Sequence, residues 1–142
     1  MGGAGRGYTA FMRILLFLTA AICCAAASKD AQFNGRWDIN VVNEPRARVW
    51  WLEVTGAGTP QVAGKFVGAP GGGMDVIPRI SVKGGQLEFE FDRIYKGPRN
   101  GPMQKGVYKA KLEGGKLQGS FQVEGDDSSR LAWTGVRAAE IK

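Results

Sequence analysis

The residues best suited to chemistry are two adjacent tryptophans, Trp50 and Trp51, within the strand-like run RVWWLEV. Successive side chains of a strand point to opposite faces, so the two indoles are predicted to separate. Trp50 shares its phase with Leu52 and Val54 and is predicted to lie in the core. Trp51 is then predicted to face a barrel mouth or solvent, where an indole suits stacking on a sugar ring or closing an apolar cavity.

The longest irregular stretch, RIYKGPRNGPMQK, is rich in basic residues and contains no acid. Loops on rigid β scaffolds commonly carry function. We therefore predict that Tyr95 and Arg99 in this stretch join Trp51 in a ligand-binding surface. Two alternatives remain open: Trp51 plugs one end of the barrel or packs under a loop, and the basic stretch is a solvated crossover.

Three acids alternate along the strand-like run QLEFEFD: Glu88, Glu90 and Asp92. Neighbours two apart on one face of a strand lie about 7 Å apart, and glycosidases use carboxylate pairs at such separations. Alternating acids are more commonly the solvent face of a strand. They are therefore weak catalytic candidates, and a non-catalytic protein is the favoured interpretation.

The chain contains no histidine, which excludes Ser-His-Asp and Cys-His nucleophiles and histidine-containing zinc sites. The segment EGDDSS lacks a recognised calcium-ligand spacing and is predicted to be a polar hairpin loop. We predict no metal and no cofactor. The charge of +6 is modest and spread along the chain, and no nucleic-acid-binding motif is present, so nucleic acid is not an expected partner.

The N-terminal 27 residues have the composition of a secretory signal. Arg6 and Arg13 precede an apolar run that ends in small residues, and cleavage is predicted before Ser28. The run is shorter than the ~20 residues of a membrane span, so no membrane association is expected after cleavage. Both cysteines, Cys23 and Cys24, lie in this segment. The predicted mature domain, residues 28–142, is thus exported to the periplasm or outside the cell and has no disulfide.

Short apolar-polar alternations separated by glycine-rich turns fill the rest of the chain and predict an all-β domain. We count eight strands, which favour a single antiparallel up-and-down barrel of lipocalin-like form. Pro78 falls inside the fourth strand, MDVIPRISV, and predicts a bulge or weak seam there. The pairs Gly84-Gly85 and Gly114-Gly115 predict two-residue hairpin turns. In a closed barrel the first and last strands are neighbours, so Arg137 is expected to cover Trp37 as a structural cation-π contact.

Several motifs together resemble a known family. GRWDINV, WWLEVTGAG, IPRISVKGGQLEFEF, LEGGKLQGSF and WTGVRAA are similar to a small lipocalin-like barrel domain of exported bacterial proteins of the 3-keto-disaccharide hydrolase family. The match runs through Trp51, Trp133 and Arg137. The larger jelly-roll domain that accompanies this barrel is not within these 142 residues. The resemblance therefore implies a carbohydrate context and transfers no active site.

The sequence thus predicts an exported, non-catalytic barrel that binds a small molecule, most simply a saccharide, or assists a sugar-processing enzyme. Two other hypotheses stay open. One is a small glycoside-processing enzyme of the 3-keto-disaccharide hydrolase type, and the other is a lipocalin-like carrier of an apolar ligand. The identity of the ligand and the oligomeric state do not follow from the sequence.

Overall fold

The structure is a computed structural model that describes residues 29–43, 49–68, 73–94 and 104–139. The predicted signal segment and its cleavage site lie outside the described residues, as do Tyr95 and Arg99. Within the described ranges, no helix has the length and apolar character needed to cross a membrane.

Nine antiparallel strands form one sheet across the described residues, and this confirms the all-β prediction. The strands are β1 (Gly35–Val41), β2 (Val49–Thr55), β3 (Ala63–Val67), β4 (Asp75–Val76), β5 (Arg79–Lys83), β6 (Gln86–Ile94), β7 (Gln104–Glu113), β8 (Lys116–Val123) and β9 (Asp126–Arg137).

The strand order is β4-β3-β2-β1-β9-β8-β7-β6-β5. Strands that are neighbours in the chain therefore pair with each other, with the exception of β4 and β5, and β1 also pairs with β9. The adjacency of the first and last strands is what an up-and-down topology predicts. Their register places Trp37 opposite Arg137 and Val41 opposite Trp133.

The prediction of eight strands is wrong, because the fourth predicted strand is two strands in the structure. β4 ends at Val76 and β5 begins at Arg79, with Pro78 between them. Proline has no N–H to donate to a ladder, so pairing stops on both sides of it. Val76 on β4 is 73% exposed, whereas Ile80 on β5 packs against the core. The strand break falls where Pro78 predicted a seam.

The two strands flanking Pro78 form opposite edges of the sheet, and no ladder joins β4 to β5 among the described residues. The sheet curls as a half-barrel, so these edges approach each other. The N–H of Ile77 donates to the carbonyl of Gly64 on β3 at 3.0 Å. A Cβ on Gly64 would lie 2.7 Å from Ile77 Cδ1 and 2.9 Å from Ile80 Cδ1. The closed barrel predicted from the sequence is thus present only as a curled sheet.

Both Gly-Gly pairs form the predicted hairpin turns. Gly84 and Gly85 have φ values of 59° and 76°, and Gly114 and Gly115 have φ values of 57° and 77°. Positive φ at both central residues identifies a turn whose twist matches that of the flanking strands. Only glycine adopts these values without steric cost. These turns join β5 to β6 and β7 to β8 and fix the register of both hairpins.

The inner face of the sheet is filled by aromatic side chains. Trp50 is 5% exposed and makes edge contacts with Phe66, Tyr108 and Phe121 at centroid distances of 5.7, 5.7 and 6.3 Å. Phe89 stacks on Tyr108 at 4.5 Å. Burial raises the pKa of Tyr108, so its phenol stays neutral. The prediction that Trp50 belongs to the core is confirmed.

A short segment before β1 covers one end of the sheet. It contains a helical turn at residues 29–31, although no helix was predicted. Phe33 is fully buried, and its carbonyl accepts the indole N–H of Trp37 at 2.9 Å. Asp30 is 8% exposed and accepts the backbone N–H of Gly85 at 2.7 Å. The segment therefore ties the start of the described chain to the β5–β6 turn.

Candidate functional site

Trp51 lies on the outer face of β2 and is half-buried. Its strand neighbours are Asp38 on β1 and Val67 on β3. The guanidinium of Arg36 lies over the indole, 4.6 Å from the ring centroid. The indole N–H is buried and has no hydrogen-bond partner in the described part of the chain. Trp51 thus faces outward, and Arg36 covers part of its ring.

Trp37 and Arg137 form the contact expected between the first and last strands. The guanidinium carbon of Arg137 lies 4.3 Å from the centroid of the Trp37 ring. The same guanidinium donates to the carbonyls of Asn34 at 2.9 Å and Gln32 at 2.5 Å. Arg137 therefore holds the segment before β1 against β9, which is a structural role.

The three alternating acids of β6 are all engaged by cations on the outer face. Glu88 pairs with Lys109 at 3.3 Å, and Glu90 pairs with Lys105 at 3.0 Å. Arg79 on β5 bridges Glu90 at 2.7 Å and also binds both carboxylate oxygens of Asp92. The acids thus form a ladder of ion pairs along β5, β6 and β7.

This ladder does not favour acid catalysis at Glu90. Hydrogen bonds from Arg79 and then Lys105 lower the pKa of Glu90 below its usual range. A general acid needs a pKa near the working pH, which burial or a neighbouring anion usually provides. Glu90 has the opposite surroundings, since two cations hold it in the ionised form.

A groove with polar side chains on its walls and a largely apolar surface between them crosses the outer face of β6, β7, β8 and β9; of the predicted site residues within the described ranges, Glu88 alone lines it. Its volume is about 380 Å³, within the range of small-ligand sites. Its floor is the backbone of a row of inward-facing residues that are opposite one another in the register. Two rows of outward side chains form its walls. They are Gln86, Lys111, Gln118 and Thr134 on one side, and Glu88, Lys109, Ser120 and Ala132 on the other.

A smaller pocket lies beyond each wall of the groove. One, of about 250 Å³, shares Lys109 and Ser120 with it. The other, of about 290 Å³ beside the β5–β6 turn, shares Gln86 and Lys111. Together they form a track along the outer side of β7, from Val107 to Glu113. At about 3.4 Å per strand residue the track is roughly 20 Å long.

Many polar side chains of this track are not used in holding the protein together. Gln86, Lys111, Gln118, Ser120 and Thr134 make no side-chain hydrogen bond or ion pair within the described residues. Glu88 and Lys109, by contrast, pair with each other. The groove therefore presents uncommitted amide, hydroxyl and ammonium groups.

The sequence gives only an indirect signal for this groove. Each strand shows polar residues on its outer phase, as a solvated face would. The groove exists because the side chains of this row, which includes Ala110 and Gly119, point to the inner face and leave only backbone between the two polar rows. Gly119 is required there, since a Cβ would lie 2.2 Å from the Trp133 ring packed on its inner side. On the outer face this row contributes only backbone, which lies below the side chains of the two polar rows.

The described residues contain no group of three or more His, Cys, Asp or Glu placed to hold a metal ion. In EGDDSS, the turn at Gly125 has a φ of 79° and joins β8 to β9. Asp126 there accepts the backbone N–H of Ser128 at 3.0 Å. This segment is therefore a hairpin turn with the first residues of β9.

Comparison of the chain with protein-family models finds no match, and comparisons with curated proteins and with solved structures find none.

Proposed function

We propose that the protein is a non-catalytic domain that binds an oligosaccharide along the outer-face groove. The observation that carries this proposal is the set of uncommitted polar side chains on the walls of the groove. A sugar ring presents hydroxyl groups around its edge, and each needs a partner when it leaves water. Amides and hydroxyls can donate and accept, so they suit a ligand whose hydroxyls do both.

The shape of the groove favours a chain of sugars over a single ring. The groove crosses four strands, and the pockets beyond its two walls extend the surface along β7. The walls come from strands, which hold side chains more rigidly than loops do.

We also propose that Trp51, together with Tyr95 and Arg99, forms a second contact surface for the saccharide. Trp51 lies on the same outer face, separated from the groove by β1. Arg36 covers part of its ring, so a sugar would have to displace Arg36 or stack on the remaining ring surface. The groove has no such obstruction and is the stronger candidate.

The other two hypotheses have less support. The carboxylates Glu88, Glu90 and Asp92 are ion-paired. A carrier of an apolar ligand needs a deep cavity. None of the three pockets described is lined by the aromatic cluster of Trp50, Phe66, Phe89, Tyr108 and Phe121.

The finer architecture and the cellular setting are part of the same proposal. We propose that the two sheet edges meet at Pro78 to complete a lipocalin-like barrel, in keeping with the closeness of Ile80 on β5 to Gly64 on β3. We also propose that residues 1–27 direct export. The motif resemblance supports a partner that processes sugars.

The test is calorimetric titration of the protein with cellotetraose. We expect saturable binding that Gln118→Ala weakens about fivefold, the value of one hydrogen bond of ~1 kcal/mol. Gln61→Ala, which removes another exposed glutamine outside the groove, is the matched control. Trp51→Ala distinguishes binding at Trp51 from binding in the groove. If Trp51→Ala abolishes binding and Gln118→Ala leaves it unchanged, the ligand binds at Trp51, and the groove is refuted as the site.

A further inference from the structure

We infer that the groove selects oligosaccharides carrying carboxylate groups, such as uronic acid chains, and that Lys111 is the selecting residue. This deepens the proposed function and depends on it. Charge is distributed unevenly along the track.

At the end of the track remote from the Gly-Gly turns, every charge described on β6 and β7 is matched. Arg79, Lys105 and Lys109 neutralise the three acids of β6. Hydrogen bonds to Asp92 and Glu90 raise the pKa of Arg79, and a hydrogen bond to Glu90 raises that of Lys105. Because these three cations already form ion pairs with the acids of β6, they attract an anionic ligand only weakly.

At the turn end of the track, cations outnumber acids. Four exposed lysines there form no ion pair within the described ranges of the chain: Lys29, Lys83, Lys111 and Lys116. The two acids there are Glu113, which lies opposite Lys116, and Asp30, which accepts the N–H of Gly85. The turn end therefore carries an excess of positive charge.

Lys111 has the central position among these lysines. It lies opposite Gln86 on β6 and Gln118 on β8, and Lys83 lies on the far side of Gln86. Lys111 also lines both the main groove and the pocket beside the β5–β6 turn. An ammonium flanked by two amides can bind a carboxylate while the amides bind the hydroxyls of the same ring.

The occupant that fits this surface is an acidic glycan. A chain of uronic acids combines hydroxyls with regularly spaced carboxylates, matching a polar track that becomes basic at one end. An anionic membrane would also attract lysines. The polar side chains on the walls of the groove, however, offer hydrogen bonds along a track of about 20 Å, which a flat lipid surface does not use.

The experiment compares tetragalacturonate with its methyl ester, which has the same chain without the charges, at low ionic strength. We expect the acid form to bind more tightly and its advantage to shrink with added salt, because salt screens exposed charges. Lys111→Gln should weaken tetragalacturonate binding about three- to fivefold, as for one exposed ion pair, and leave ester binding unchanged. Lys65→Gln on β3, which makes the same charge change away from the groove, should alter neither.

Two outcomes would overturn the inference in distinguishable ways. Equal affinity for the acid and the ester would refute charge selection and leave saccharide binding in the groove intact. Absence of binding by both, and by cellotetraose, would refute the proposed function as well. A third arm uses vesicles of phosphatidylglycerol. Binding to them that Lys111→Gln abolishes, without binding to tetragalacturonate, would assign the lysines to a membrane surface and overturn the inference.

Discussion

At the scale of single residues, strand phase decides what each tryptophan does. Trp50 enters the aromatic core and Trp51 faces outward beneath Arg36. The alternation of side chains predicts this division from the sequence. The partner of Trp51 does not follow from the alternation, because Arg36 reaches the indole only in the observed register of β1 with β2.

Gly64 provides a residue-scale test of the proposed closure of the sheet. A Cβ there would meet the ends of Ile77 and Ile80 across the seam. We expect Gly64→Val to destabilise the protein by about 1–3 kcal/mol through overpacking. Urea unfolding measures this, with Gly73→Val as the control, because nothing lies within 4 Å of a Cβ at Gly73.

A neutral or stabilising effect of Gly64→Val on the free energy of unfolding would contradict closure of the sheet. If the two edges stand apart in solution, Ile80 lies away from position 64, and the flexible end of Ile77 can turn into the space that this leaves. Valine would then be neutral or stabilising there, since β-branched residues suit strands better than glycine does.

At the scale of elements, the hairpins are the part of the fold most readily predicted. Gly84-Gly85 and Gly114-Gly115 sit between alternating runs, and the geometry of the turn requires glycine. The segment before β1 could not be predicted in this way. It is short, has no periodicity, and is held by tertiary contacts of Asp30, Phe33 and Arg137.

Asp30 tests how that segment is held. Asp30→Ala removes the acceptor of the Gly85 N–H and leaves a part-buried donor unpaired, which costs about 1–3 kcal/mol. We expect a lower free energy of unfolding and faster hydrogen exchange at Gly85. Asp30→Asn keeps an acceptor oxygen and should lose less. Equal losses in the two variants would contradict the role of Asp30 as a hydrogen-bond acceptor.

At the scale of the whole molecule, the strand order was more predictable than the site. Sequential antiparallel pairing and adjacency of β1 and β9 follow from short turns and near-even strand spacing. The predicted number of strands was wrong at Pro78, because the weak seam expected within one strand is a complete break between β4 and β5. The groove could not be predicted, because its walls come from four strands and depend on their exact register.

The central claim is that an oligosaccharide lies in the groove on the outer face of β6 to β9. The most direct measurement is an NMR titration of ¹⁵N-labelled protein with cellotetraose and tetragalacturonate. We predict that the side-chain amide signals of Gln86 and Gln118 and the backbone signals around Lys111 shift with ligand. The indole signal of Trp50 in the core should not move. Shifts confined to Trp51 and Arg36, or no shifts with either sugar, would contradict the account.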